Sequence, residues 1–139
     1  MPRIVPILGP IMLLLSLISC GDDGFSPTVE AVAGTYRATT FTFNGGSTTT
    51  DLLAAGASVT VPLAPDGTTT GRMFVPGVGE GGGDLDADLA GTWALSGTTV
   101  TFSQEADTFM RDAPFTAEPN RLRTRSASSS EVVVLVLTK

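Results

Sequence analysis

The residue types able to do covalent chemistry are few. The chain has no histidine, a single cysteine, Cys20, and a single lysine, Lys139. Nucleophile pairs of the Ser-His or Cys-His kind and zinc sites built on imidazole or thiolate need residues that are missing after position 20, and a lysine Schiff base would have only Lys139, the last residue, to use. Carboxylates are what remains. Glu105, Asp107 and Glu118 are acids of the type that cleave glycosides in pairs, but that reaction needs two carboxyl groups held about 5 to 10 Å apart, and nothing in their spacing selects such a geometry. We therefore expect no enzyme and no cofactor.

Two patterned groups of charges are candidates for binding. Asp84, Asp86 and Asp88 follow Glu80 in a glycine-rich stretch, and Asp-x-Asp-x-Asp is one way to present oxygens to calcium. An EF-hand would need glycine at its sixth position and glutamate at its twelfth, where this chain has Leu89 and Leu95. The trio is kept as a calcium candidate beside the reading as a solvated acidic loop, and no metal is assigned. Arg121, Arg123 and Arg125 alternate with Leu122, Thr124 and Ser126, so a strand projects all three guanidinium groups from one face. Such a stripe suits a carboxylate, a phosphate or an anionic surface. The plainer reading is an outward face answering nearby aspartates or touching lipid headgroups.

The aromatic side chains form the third group. Tyr36, Trp93 and Phe102, with Phe41, Phe43, Phe74, Phe109 and Phe115, hold nearly all the aromatic area. In a small domain they belong to the core first, since each contributes on the order of 2 to 3 kcal/mol when buried. Only those near an open end of the fold would also touch a ligand.

The elements positioning these groups read as β-structure. After residue 20, threonine, valine and phenylalanine alternate with polar residues, and glycine or proline interrupts at short intervals. Strands are expected at Gly34 to Phe43, Ala57 to Ala64, Thr68 to Val75, Leu89 to Ser96, Thr98 to Ser103, Thr108 to Thr116, Arg121 to Ala127 and Glu131 to Thr138. Asp51 to Gly56 reads as a helical turn, and Gly45 to Thr50 and Pro76 to Asp88 as loops. Pro62 cannot donate to a ladder, which predicts an edge or a bulge there. Pro65-Asp66-Gly67 and Ser96-Gly97 are hairpin turns. About eight consecutive strands are most simply an antiparallel up-and-down meander, and closure into a barrel removes its exposed edges. A two-sheet β-sandwich is the alternative. The last strand, apolar on both faces from Val132 to Leu137, is suited to pairing with the first.

The amino terminus has a different character. Arg3 is followed by an uncharged run from Ile4 to Ile18, shorter than the roughly 20 apolar residues of a membrane span and broken by Pro6, Gly9 and Pro10. It ends in Leu17-Ile18-Ser19-Cys20, which resembles the lipobox of bacterial lipoproteins at every position. The resemblance implies a signal peptide over residues 1–19 and a diacylglyceryl group on Cys20, with membrane lipid as the first partner. It also implies attachment to the cell envelope. Gly21, where an aspartate would resemble an inner-membrane retention signal, favours the outer membrane if the cell has two. Residues 20–31 then read as a tether, and residues 32–139 as one domain with one core.

Val32-Ala33-Gly34-Thr35-Tyr36 and Leu89-Ala90-Gly91-Thr92-Trp93 share one pattern, a faint internal repeat. With Asp66-Gly67-Thr68 and the stretch Gly97 to Phe102, they resemble small lipocalin-like domains of bacterial lipoproteins. The resemblance implies a barrel with a small internal cavity. In lipocalins a Gly-x-Trp on the first strand plugs the closed end; here that place holds Gly34-Thr35-Tyr36, and the Gly-x-Trp comes later, at Gly91 to Trp93.

From Cys20 onward seven basic residues face fourteen acidic ones, so nucleic acid is not an expected partner. The leading expectation is a lipid-anchored, non-catalytic module that binds a small apolar or amphiphilic ligand. The alternative is a protein-interaction or inhibitor module of the envelope acting through the Gly45 to Thr50 and Pro76 to Asp88 loops.

Overall fold

The computed structural model describes residues 25–139; the lipobox, Cys20 and the signal segment lie outside the described residues. A short helix, α1 (Val29–Val32), precedes eleven strands: β1 (Gly34–Gly45), β2 (Thr48–Asp51), β3 (Ser58–Leu63), β4 (Thr68–Thr69), β5 (Arg72–Val75), β6 (Leu85–Asp88), β7 (Gly91–Ser96), β8 (Thr99–Gln104), β9 (Phe115–Glu118), β10 (Arg121–Ala127) and β11 (Glu131–Thr138). A second helical turn, α2 (Phe109–Asp112), lies between β8 and β9. Every pairing is antiparallel, and neighbours in the sheet run β1, β11, β10, β9, β8, β7, β4, β3. The ring then closes where β3 pairs with β1 again, through Gly34 opposite Leu63 and Tyr36 opposite Val61. The expected eight-stranded up-and-down barrel is what forms, with β2, β5 and β6 as additions at one end.

The sequence expectations differ from this in four places. Gly45 to Thr50 is a hairpin, because β1 runs on to Gly45 and β2 pairs back on it. The expected strand Thr68 to Val75 breaks at Thr70 and Gly71 into β4 and β5, opposite Val61 and Pro62 of β3. Pro62 is therefore in an interior strand rather than at an edge. The ladder is interrupted where proline has no N–H to give, and the Thr69 hydroxyl donates to the Pro62 carbonyl at 2.7 Å. A Cβ at Gly71 would run into the Thr60 carbonyl, and one at Gly91 into that of Ser103, so both strand crossings need glycine. Thirdly, the carboxyl half of the acidic loop is β6, paired with β5. Lastly, Phe109 to Asp112, within the expected strand Thr108 to Thr116, is helical rather than extended. The chain crosses the barrel end there and buries Met110 completely, and the strand begins only after Pro114.

Inward-facing side chains fill the barrel. Tyr36, Val59, Val61, Met73, Leu89, Val100, Phe115, Leu122, Leu135 and Leu137 are all sealed from solvent. On β1 the inward set changes parity, from Tyr36 and Ala38 to Phe41 and Phe43. Alternation allows this only with one extra residue. Thr39 is that residue: Ala38 lies opposite Leu137 and Thr40 opposite Val136. Its hydroxyl bonds that of Thr138 at 2.9 Å on the outer surface.

α1 closes one end. Thr28 caps it by accepting from the Ala31 N–H at 3.1 Å, and Lys139 Nζ donates to the carbonyls of Ala31 and Ala33 at 2.5 and 2.7 Å. Phe25 and Val29, within the segment read as tether, pack partly against the core.

Deleting Thr39 is expected to turn Phe41 and Phe43 outward and abolish the cooperative unfolding transition. Thr39→Ala, which keeps the extra residue, is expected to cost no more than about 1 kcal/mol by thermal or denaturant unfolding.

Candidate functional site

The end opposite α1 is open. There the amino-terminal ends of β6, β9 and β11 meet the carboxyl ends of β1, β5 and β8, and the longest connections cross it. Between them lies a cavity of about 460 Å³. Its wall is formed by Phe41 and Phe43 of β1, Met73 and Val75 of β5, Leu85 of β6 and Val133 of β11, with Leu52, Val78 and Phe109 contributed by the connections. Thr50 is the one polar residue in the lining, and no charged residue belongs to it.

Each wall residue is placed by a local rule. Phe41, Phe43 and Val133 are inward positions of paired strands, with Phe43 opposite Val133. Leu52 follows β2 in a turn in which the Ala55 N–H donates to the Asp51 carbonyl at 3.2 Å and the Ala54 N–H to its carboxylate, also at 3.2 Å. This matches the helical turn expected at Asp51 to Gly56. Phe109 is the first residue of α2, and its ring centroid lies 6.1 Å from that of Phe41 at a tilt of 36°, a favourable aromatic spacing. The cavity thus continues the core outward: of its wall, Phe41, Met73 and Val75 are buried, while Phe43, Leu52, Leu85, Phe109 and Val133 stay partly exposed.

The aromatic candidates Tyr36, Trp93 and Phe102 do not line this cavity. All three are buried lower in the barrel. The Tyr36 hydroxyl donates to the Val32 carbonyl at 2.6 Å, and Trp93 Nε1 donates to the Ala64 carbonyl at 2.8 Å. Both copies of the glycine-threonine-aromatic pattern therefore place a ring at the closed end, tied to backbone. Phe102 stacks edge-on against Phe115, with centroids 5.3 Å apart.

The acidic trio is dispersed. Asp84 accepts from the Gly77 N–H at 3.0 Å, bracing the loop, and Asp88 accepts from Ala90 N–H at 3.0 Å. Asp86 receives two bonds from Arg72, Nε at 2.6 Å and Nη2 at 2.5 Å, which hold its carboxyl below the ordinary aspartate value. Asp86 and Asp88 alternate with Leu85 and Ala87 along β6, so the aspartates face outward while the apolar partners pack inward. Among the described residues no three His, Cys, Asp or Glu side chains gather where they could hold a metal ion. Glu105, Asp107 and Glu118 are likewise spread along the chain, with Asp107 paired to Arg111 at 2.9 Å.

The arginine stripe does form one outward face of β10, over the buried Leu122 and Thr124. Its members differ. Arg121 and Arg123 share Glu118, at 3.5 and 3.0 Å. Arg125, at the open end, makes no ion pair among the described residues. It borders a hollow with Phe109, Ala113, Pro114 and Ser126.

One further group was not singled out from the sequence. Gln104 continues the inward alternation of Val100 and Phe102 and is buried beneath α2, yet neither amide atom has a hydrogen-bond partner among the described residues, nor does Thr108 Oγ1. The alternation was the available signal, since it carries a polar residue to an interior position.

Burial pushes the Tyr36 hydroxyl up to about 12. The folded state therefore holds this proton more tightly than the unfolded chain, whose tyrosine titrates near 10. The stability it contributes is complete below pH about 10 and is lost as pH rises towards about 12. Unfolding measured across that window is expected to show a steeper alkaline loss in the natural protein than in Tyr36→Phe, which at neutral pH loses about 1 kcal/mol with the bond to Val32.

Comparison of the chain with protein-family models, with curated proteins and with solved structures returns no match.

Proposed function

We propose that this protein is a non-catalytic binding module that takes a small apolar or amphiphilic ligand into the open end of its barrel. The observation that carries this is the contrast within one interior. Below the level of Phe41 the inward side chains are sealed from solvent, while above it about 460 Å³ is walled almost wholly by apolar side chains. Ligand sites are commonly of this kind, concave, apolar and several hundred Å³ in volume. The resemblance to lipocalin-like domains of bacterial lipoproteins supports the same reading.

The lipobox-like Leu17 to Cys20 adds a location to the proposal: lipid on Cys20 anchors the protein in the cell envelope, in the outer membrane of a two-membrane cell. The described chain enters at the α1 end, so an anchor on that side leaves the cavity at the far end, facing away from the membrane. A single acyl chain anchors only marginally, and the two or three that a lipoprotein cysteine carries hold durably. A second reading, docking to another envelope protein, has one observation in its favour. Val78, on the cavity rim, is the one large hydrophobic residue that stands exposed among those described, at 55%.

Native mass spectrometry of gently purified protein is expected to show a co-purifying small ligand. Val133→Trp, which fills the cavity from a strand position that accepts aromatics, is expected to weaken uptake of a neutral probe such as N-phenyl-1-naphthylamine by at least about tenfold, a loss of roughly 1.4 kcal/mol, while leaving the fold intact. Unchanged uptake would place the probe elsewhere. Exchange of Cys20 for serine is expected to move the protein out of the membrane fraction; retention there would remove the anchor from the proposal.

A further inference from the structure

Towards the open end the barrel wall is incomplete beside β10. β11 accompanies β10 along one edge as far as Ala127, but on the other edge β9 stops early, its pairing ending where Thr116 lies opposite Arg123. The Thr124 hydroxyl still reaches the Pro114 carbonyl, donating at 2.8 Å. Past that point no strand among the described residues lies against the β9 side of Arg125, Ser126 and Ala127. Its place is taken by a hollow of about 430 Å³, lined by Phe109, Ala113 and Pro114 of the α2 connection and by Arg125 and Ser126 of β10.

A bare strand edge offers an extended chain two things. Every second residue turns its N–H and C=O to the free side, so a partner backbone can continue the ladder. The side chains of that partner then alternate as those of β10 do. A residue opposite Arg125 stands on the outer face beside the guanidinium, while its two neighbours turn the other way, towards the face that carries Ser126, and meet the hollow.

Charge decides which residue belongs opposite Arg125. Arg121 and Arg123 share Glu118. Arg125 is exposed and makes no ion pair among the described residues. No carboxylate lines the hollow, nor the second one that Arg125 borders on the outer face with Val132 and Val134. Opposite charges placed directly across two strands attract, and a guanidinium takes a carboxylate through two parallel N–H donors.

We infer that the free edge of β10 is a docking site for an extended segment of a partner protein in which an acidic residue stands between two apolar ones. The carboxylate pairs with Arg125, the flanking side chains enter the hollow beside Phe109 and Ala113, and the partner backbone extends the sheet where β9 leaves off. The site lies on the edge and outer face of the barrel, so it works whether or not the apolar cavity holds a ligand. The chain carries a net charge of −6, which opposes an acidic partner elsewhere and makes the contact depend on this cation.

Photo-crosslinking of the full chain in lipid nanodiscs tests this. The probe is the peptide acetyl-Thr-Val-Glu-Val-Thr-amide with a diazirine on its second valine. One control replaces the glutamate by glutamine, and the other exchanges it with the valine before it, which breaks the alternation. The probe is expected to label the fragments carrying Ala113 or Ser126 at about tenfold lower half-saturating concentration than either control, the worth of one charged hydrogen bond. Arg125→Gln is expected to bring the probe to the level of the glutamine control. Arg125→Lys should keep part of the preference, and Arg121→Gln all of it. Equal labelling by the three peptides, labelling that Arg125→Gln leaves unchanged, or no labelling of these fragments would each overturn the docking site. If the peptides label alike while phosphatidylglycerol in the nanodiscs shields Arg125 from phenylglyoxal, the cation serves a membrane surface and the assignment is likewise overturned.

Discussion

The structure depends on β1 having partners along both of its edges. β11 covers one edge from Arg37 to Gly45, while β3 and then β2 divide the other. An open meander of strands this short would leave two rows of unpaired backbone groups, each an invitation to pair with another chain. Closing the ring removes both rows and makes a single interior out of all eight inward faces. The burial of Leu135 and Leu137 on β11 and of Tyr36 and Phe41 on β1 follows from that one contact between the beginning and the end of the domain.

Closure also divides the interior into a solid part and a hollow part. Where β1 pairs with β3, inward side chains such as Tyr36 and Val61 are sealed from solvent. Beyond Thr39 the second edge of β1 turns to β2, and beyond Gly71 the partner of β3 becomes β5, so β1 and β3 no longer pair with each other there. The space they leave is bridged by α2, whose Met110 plugs the barrel while Phe109 reaches over the cavity. The bulge at Thr39 and the break at Gly71 are thus what let one sheet be both a closed core and an open cup. Irregularities at a barrel rim commonly re-aim side chains in this way.

Electrostatics follow the same geometry. Along β5 and β6 the aspartates answer Arg72, and along β9 and β10 Glu118 answers two arginines of the stripe. These exposed pairs contribute little to stability individually. Their effect is to neutralise most cations of an acidic surface locally, which leaves Arg125 distinct at the mouth.

By itself the sequence determined the class of fold. Period-two alternation, the Pro65-Asp66-Gly67 and Ser96-Gly97 turns and a final strand apolar on both faces carry enough information, because strand pairing of neighbours is a local matter and the alternation says which face is buried. It also determined which residue types are at hand, no histidine and a single cysteine and lysine, since these cannot be supplied by folding. Asp84, Asp86 and Asp88 show where local reading stops. The same alternation is written in Leu85-Asp86-Ala87-Asp88, but the glycines before it read as loop, and only the partner β5 makes it a strand. Phe109 to Asp112 shows the reverse, a segment of strand-like residues turned helical where the chain packs Met110 into the interior. The apolar cavity needed the tertiary structure altogether: Phe41, Phe43, Leu85, Phe109 and Val133 come from distant parts of the chain, and nothing in their own neighbourhoods separates them from the core aromatics Tyr36, Trp93 and Phe102. What separates them is height along the barrel, a quantity set by register and closure and carried by no single residue.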